Sequence, residues 1–295
     1  MTHKHRALVG RIGGTAFSTY GAGEPVVLIH GVGMEQAFWG PQINALAGDC
    51  QIVTYDMLGH GNSRDPDEDT SLADYAGQLA DLMDALGIAA ANVVGHSMGA
   101  LVALEYATSH PDRTLRVAAL NAVFMRSPEQ KAAIMGRAEQ LRVAGMNATV
   151  DATLSRWFGD SVPEHLHEAA DMISGILSRV HPIGYARTYQ LFAQSDAVHA
   201  DRLADLRMPA LFMTGELDPN SAPSMSMAMA QRVPESTLVV IPGARHMMSI
   251  TDPAAVNEAL RAFLRTPLGR GASEHDIPGR TGMAPDPASI ENRGA

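Results

Sequence analysis

The sequence predicts an α/β protein: a mostly parallel sheet flanked by helices and interrupted once by a helical insertion. Short runs rich in Val and Ile recur along the chain, as strands buried on both faces require. Amphipathic stretches stand between them, and strand-helix-strand units imply parallel pairing. The alternation stops from about Met125 to about Asp201, where helical patterns follow one another with no strong strand, and then resumes. With 295 residues and 46% hydrophobic content, the chain is long enough to bury a full core.

In chain order, "ALVGRI" and "TAFSTY" read as a hairpin turning at Gly13 and Gly14. "PVVLI" (Pro25 to Ile29), "QIVTYD" (Gln51 to Asp56) and "NVVG" (Asn92 to Gly95) read as buried strands. Between the last two, Leu72, Tyr75, Leu79, Leu82, Met83 and Leu86 share one helical face, with Ser71 and Asp74 as a capping box and Gly87 as the stop. "LRVAALNA" (Leu115 to Ala122) is the next strand. The insertion opens at "SPEQ", where Ser127 caps and Pro128 takes the first helical position. "PALFMTGELD" (Pro209 to Asp218) and "STLVVIPGARH" (Ser236 to His246) restore the strand rhythm, and "PAAVNEALRAFL" closes with a helix. From Pro267 onward Gly, Pro and charge dominate, which predicts a disordered tail. The expected division is 1–124 and 201–266 for the core, 125–200 for a helical cap and 267–295 for the tail.

A net charge of -10, with no run of Lys or Arg, argues against nucleic acid or an anionic membrane as partner and favours a small-molecule substrate. The start, "MTHKHRALVG", lacks the apolar stretch of a signal peptide, so a cytoplasmic location is expected. Oligomeric state is not fixed by any of these features. Cys50 is the only cysteine, which excludes an intrachain disulfide and a cysteine-based zinc cluster; beside "QIVTY" it is expected to be a buried small hydrophobe.

The chemistry centres on "GHSMG". If "NVV" is a strand and "MGALVALEYA" a helix, the chain must reverse sharply at Ser97, and Gly95 and Gly99 remove the Cβ atoms that would clash. Such a turn holds the hydroxyl outside the carboxyl end of the sheet, at the positive end of a helix. A serine hydroxyl is a weak nucleophile at neutral pH, so it needs a base, and the base an orienting carboxylate. His246 in "PGARHMM" and Asp218 in "TGELDPN" follow the last two strands and are expected at the same edge. Glu216, Asp205, Asp201 and Asp196 are nearby alternatives for the acid. Acyl transfer also needs donors for an oxyanion. The Met98 amide, at the helix start, is one; the Val32 amide in "LIHGVGM" is the other, with Gly31 and Gly33 allowing close approach.

On these residues the chain resembles the α/β-hydrolase superfamily from about Val9 to Leu264, through "HGVGM", "DMLGHGNS" (Asp56 to Ser63), "GHSMG", "GELDP" and "GARHM" in that order. "RWFGD" (Arg156 to Asp160) and "GYARTYQLFAQSD" (Gly184 to Asp196) resemble the cap of the 3-oxoadipate enol-lactonase and carboxylesterase group. The resemblance implies a cofactor-independent, metal-free hydrolase of a small ester or lactone, acting through an acyl-enzyme on Ser97. Hydrolases of ring meta-cleavage products usually carry Asn before the nucleophile and "WGRxD" around the acid, where this chain has His96 and "TGELD". Haloalkane dehalogenases and epoxide hydrolases use an aspartate nucleophile, which Ser97 argues against. Carbon–carbon hydrolysis, perhydrolase or lyase chemistry on the same fold is the alternative within enzymes; a triad-bearing ligand receptor is the alternative outside them.

Several residues have a plainer reading. In this family Asp56 usually anchors the following loop, and His30, His60 and His96 are expected as packing or loop residues. The cluster "MSMAMA" (Met225 to Ala230) suits helix packing better than copper(I). Phe38, Trp39, Phe124, Trp157, Tyr189 and Phe192 are candidates for an apolar pocket, with Gly31, Phe124, Trp157 and Tyr189 as expected substrate contacts. Arg156 and Arg187 could meet a substrate carboxylate.

Overall fold

The structure, a computed structural model, describes residues 7–144, 150–159 and 161–268. Asp160 and all of the expected tail beyond Leu268 lie outside those residues.

A single eight-stranded sheet runs in the order β1-β2-β4-β3-β5-β6-β7-β8. Strands β1 (Ala7–Ile12) and β2 (Thr15–Tyr20) form the antiparallel hairpin, with Ile12 opposite Thr15. β2 also pairs antiparallel with β4 (Cys50–Tyr55). From there every pairing is parallel: β4 with β3 (Glu24–Ile29), then β5 (Ala91–His96), β6 (Thr114–Leu120), β7 (Ala210–Gly215) and β8 (Ser236–Ile241). After β3 the chain goes first to one side and then to the other, so the strand order reverses between β3 and β5. In an open α/β sheet that reversal opens a crevice at the carboxyl ends of the two strands.

Burial explains the uniform Val/Ile runs. Val26, Val27, Leu28 and Ile29 of β3 have no exposed surface, and β5, β6 and β7 are buried along their whole length. β8 has the same composition but is an edge strand, half-exposed, with Leu238 open to solvent. Cys50 corrects an expectation: it is only half-buried, because it opens β4 at the rim of the sheet instead of lying among "QIVTY".

The sheet is covered by α1 (Gly40–Leu46), α2 (Leu72–Ala85), α3 (Met98–Ser109), α8 (Pro223–Ala230), the short α9 (Met248–Thr251) and α10 (Pro253–Leu264). The predicted apolar face of α2 is the buried one, and the Asp74 carboxylate accepts the Ser71 N–H at 2.8 Å, as a capping box requires. α3 is buried on all sides except near its end, consistent with its lack of a polar stripe.

Between β6 and β7 the described chain is helical: α4 (Pro128–Ala144), α5 (Val150–Phe158), α6 (His167–Leu177) and α7 (Pro182–Gln194), with no strand among the described residues. Gln130 caps the start of α4 reciprocally with Ser127, its side chain accepting the Ser127 N–H at 2.9 Å. α7 is tied to α2 by a 2.8 Å hydrogen bond between Tyr75 and Thr188. Among the described residues, no helix is long and apolar enough to cross a membrane.

Candidate active site

β5 ends at His96 and α3 begins at Met98, which leaves one residue to reverse the chain. That residue, Ser97, sits at φ 55° and ψ −116°, a conformation unusual for any side chain other than glycine. The strain is held from several directions. The Ser97 N–H donates to the Leu120 carbonyl at 2.8 Å, at the end of the neighbouring β6. A Cβ on Gly95 would run into the Gly99 backbone, and a Cβ on Gly99 into the Ile29 and His30 carbonyls. The two glycines therefore let strand, turn and helix approach closely enough for the elbow to form.

The hydroxyl so presented lies 3.2 Å from His246 Nε2, and His246 Nδ1 lies 2.7 Å from Asp218 Oδ2. All three residues are buried. Asp218 follows β7 and His246 follows β8, so the turns after β5, β7 and β8, at the carboxyl edge of the sheet, supply the series. Of the acidic alternatives, Glu216 instead accepts the Gly243 N–H, Asp196 pairs with Arg126 and Lys131, and Asp201 and Asp205 are exposed.

Asp218 is heavily solvated by protein groups. Oδ1 accepts the N–H groups of Asn220 at 2.8 Å and Ser221 at 3.2 Å, and Oδ2 accepts Asn121 Nδ2 at 2.8 Å. Burial pushes its pKa up, but the His246 interaction and these hydrogen bonds outweigh it and hold the carboxyl below its ordinary value. Asn121 is a site residue that sequence reasoning missed: "LRVAALNA" was read as one strand, yet β6 ends at Leu120 and Asn121 turns out of it at φ 50°. The available signal was an Asn closing an otherwise apolar strand next to the nucleophile strand.

The other histidines hold the loops. His30 Nε2 accepts the Met57 N–H at 3.0 Å while Nδ1 donates to the Gly31 carbonyl at 2.8 Å. His60 Nε2 accepts the Gly33 N–H at 2.9 Å and Nδ1 donates to the Leu58 carbonyl at 3.0 Å. His96 Nε2 donates to the His246 backbone carbonyl at 2.8 Å, fixing the loop that carries the imidazole. Burial lowers their pKa values to about 4, about 3 and about 3 respectively, the neighbouring imidazole adding to the effect for His60 and His96. Asp56 accepts the Gln36 and Asn62 N–H groups, each at 2.9 Å. With the Gly33 amide committed to His60, the adjacent Val32 amide has no hydrogen bond among the described residues. The Met98 amide, first in α3, has no partner within its helix.

Ser97, His246 and Val32 open into a cavity of about 280 Å³ beneath α4, α5 and α7. Trp157, Tyr185, Tyr189 and Phe192 supply its aromatic wall, and the Trp157 ring stacks against His246 at 6.0 Å between centroids. Two expected substrate contacts are corrected. Phe124 does not line the cavity, because its ring packs under the Arg232 guanidinium at 4.9 Å. Gly31 does not line it either; it is a point of close packing against the turn at Ser97, where a Cβ would meet Ser97 Cβ at 3.1 Å. Phe38 and Trp39 are fully buried away from it. Arg187 pairs with Glu68 at 3.0 Å outside the cavity, whereas Arg156 lines it, joined by Arg137, which the sequence reading did not single out. Met225 and Met229 are buried filling of α8, and Met227 is exposed.

Comparison with known proteins agrees with this architecture. A family model described as the alpha/beta hydrolase fold matches residues 24–253. The chain is 38% identical over 246 residues to an (E)-2-((N-methylformamido)methylene)succinate hydrolase of Acinetobacter baylyi, spanning 83% of this chain and 92% of that one. It is 28% identical over 241 residues to 3-oxoadipate enol-lactonase 1 of the same organism, spanning 82% and 88%. The crystal structure of the enol-lactonase from Burkholderia xenovorans superposes with a TM-score of 0.80 at 29% identity, over 88% of this chain and 100% of that one. A matching family over most of the chain, a shared sheet and relatives that are hydrolases lead to one conclusion: the chain belongs to the alpha/beta hydrolase fold family and is an enzyme of the hydrolase type.

Proposed function

We propose that this enzyme is a serine hydrolase that cleaves a small ester, lactone or related carbonyl compound through an acyl-enzyme on Ser97. The observation that carries the proposal is the hydrogen-bonded series from Ser97 through His246 to Asp218, with Ser97 and His246 lining the cavity. Ser97 Oγ attacks the acyl carbon as His246 Nε2 takes its proton. Asp218 holds the other ring nitrogen and stabilises the imidazolium that forms. The Val32 and Met98 amides receive the charge that develops on the carbonyl oxygen. His246 then returns the proton to the leaving group, and water, deprotonated by the same imidazole, releases the acid.

The strain at Ser97 supports this reading, since an ordinary turn serine needs neither the left-handed backbone nor the imidazole partner. So does the fate of the other polar groups: His30, His60 and Asp56 are consumed in holding the two flanking loops. The relatives' names point the same way, an enol-lactone and an N-methylformamido compound each presenting an acyl carbon to a nucleophile. Residues 125–200 act in this reading as a cap that closes the cavity over the reacting carbonyl.

The test is intact-mass detection of a single fluorophosphonate adduct, mapped by peptide analysis and competed by a panel of esters, lactones and amides. A single adduct on Ser97, absent from Ser97→Ala, is expected. Wild-type turnover by Ser97→Ala sinks the assignment.

A further inference from the structure

Residues 125–200 carry six arginines, and their partners divide them sharply. Arg126, Arg142, Arg179 and Arg187 each have a carboxylate within ion-pair distance: Asp196, Glu139, Glu35 and Glu68. Arg137 and Arg156 have none among the described residues, and these two line the cavity that opens onto Ser97. Their only hydrogen bonds among the described residues are to neutral groups. Arg137 Nε donates to the Tyr189 hydroxyl at 3.4 Å, and Arg156 Nη2 to Thr153 Oγ1 at 2.8 Å.

Two half-buried guanidiniums facing one cavity without a counter-charge is a costly arrangement, because charge withdrawn from water is normally paired. Burial, followed in the same direction by the charge of Arg137, lowers the pKa of Arg156. No carboxylate of a described residue lines the cavity to relieve this; its third arginine, Arg126, is already matched by Asp196. Planar guanidiniums are the side chains best suited to a carboxylate, which they bind through paired, charge-assisted hydrogen bonds. The aromatic side chains that line the same cavity suit a short carbon chain.

We infer that Arg137 and Arg156 form a carboxylate-binding subsite, and that the substrate is a small acyl compound carrying a free carboxylate away from its scissile carbonyl. The inference rests on the serine-hydrolase reading for which end of the substrate reacts. The acyl carbon lies at Ser97 and the carboxylate at the α4–α5 wall. The chain's overall charge of -10 does not oppose it, since an exposed charge is screened beyond about 10 Å at ordinary salt, while a half-buried pair inside the cavity is not.

The experiment compares 4-nitrophenyl hydrogen glutarate with the uncharged 4-nitrophenyl pentanoate on wild type, Arg137→Gln, Arg156→Gln, Arg156→Lys and, as the control outside the cavity, Arg187→Gln. The readout is the ratio of kcat/KM for the charged ester over the neutral one. Wild type is expected to favour the charged ester, and each Gln variant to lower the ratio about ten- to hundredfold, mainly through KM. Arg156→Lys should fall between, and Arg187→Gln should keep the wild-type ratio. A wild-type ratio near one, a ratio indifferent to both Gln variants, or equal losses on both esters overturns the subsite.

Calorimetric binding of glutarate to Ser97→Ala, alone and combined with each Gln variant, separates the two readings. Arginine-dependent glutarate binding in an enzyme that turns over neither ester leaves the subsite standing and removes the nucleophile. Ser97-dependent hydrolysis with an arginine-independent ratio does the reverse.

Discussion

The carboxyl edge of the sheet and the helical segment above it are built on opposite plans. At the edge, Ser97, His246 and Asp218 are buried, and each is held by backbone: Ser97 by Leu120, the His246 loop by His96, and Asp218 by Asn220 and Ser221. Above it, the residues of α4 and α5 that face the cavity include half-buried arginines with no acidic partner among the described residues. The edge tolerates one geometry because its neighbours are carbonyls and glycines. The helices present side chains, which can be exchanged without moving a strand. In the proposed mechanism, reaction type is set by the edge and substrate choice by the helices.

The largest effect should come from the edge. Ser97→Ala removes the oxygen proposed to attack and is expected to lower kcat about ten thousand- to millionfold with little change in melting temperature, measured by steady-state kinetics and thermal unfolding. A loss of less than tenfold would break the division at its strongest point.

Acid should act on the edge next. His30, His60 and His96 have native pKa values of about 4, 3 and 3, against an unfolded value near 6.5. Between those limits the unfolded chain binds protons that the native state refuses, so stability falls as pH drops below about 6.5 and continues to fall toward 4. Each histidine contributes up to about 1.4 kcal/mol per pH unit to that slope. Urea unfolding midpoints should be lower at pH 5 than at pH 7. Hydrogen exchange should show protection lost first around residues 30–60, where the buried imidazoles of His30 and His60 hold the loops.

Gly99→Ala should be smaller. Its Cβ would meet two backbone carbonyls, of Ile29 and His30, which cannot rotate away as a side chain would. The expected cost is about 1–3 kcal/mol of stability, read from the urea midpoint, together with a fall in kcat as the elbow shifts. Full stability and full kcat in this variant would mean that the close approach of α3 to β3 is not what shapes the turn.

The same contrast governs what the sequence made legible. The edge was readable because its constraints are local: one residue between a strand and a helix, glycines on either side, and an acid and a base each following a strand. The interior strands and the closing helix are readable for the same reason, a local pattern over a few residues: a continuous apolar run for the strands and a periodicity of 3.6 for the helix. What escaped reading depends on distant packing. Asn121 reaches Asp218 across 97 positions of sequence, and β8, unlike β7, has no strand beyond it. Phe124 and Arg187 were expected at the cavity but point elsewhere, toward Arg232 and Glu68, while Arg137 arrives there unannounced. On a helix one residue turns the side chain by about 100°, so an uncertainty of a single position in the start of α4 decides whether it faces substrate or water.

The finest probe of the division is Trp157, which belongs to the helical segment but stacks on the imidazole of the edge, with ring centroids 6.0 Å apart and planes 27° from parallel. Because His246 is already positioned by Asp218 through Nδ1 and by His96 through its backbone, the indole is not needed to orient it. Trp157→Leu should therefore remove wall from the cavity and an aromatic contact of about 0.5–1.5 kcal/mol, raising KM about two- to tenfold while kcat stays within about twofold. The measurement is a full saturation curve on a neutral ester, so that the proposed contact of a substrate carboxylate with Arg137 and Arg156 is not mixed in. If kcat falls as far as KM rises, the stack is orienting the base. The helices would then share in the chemistry that the edge is here assigned alone.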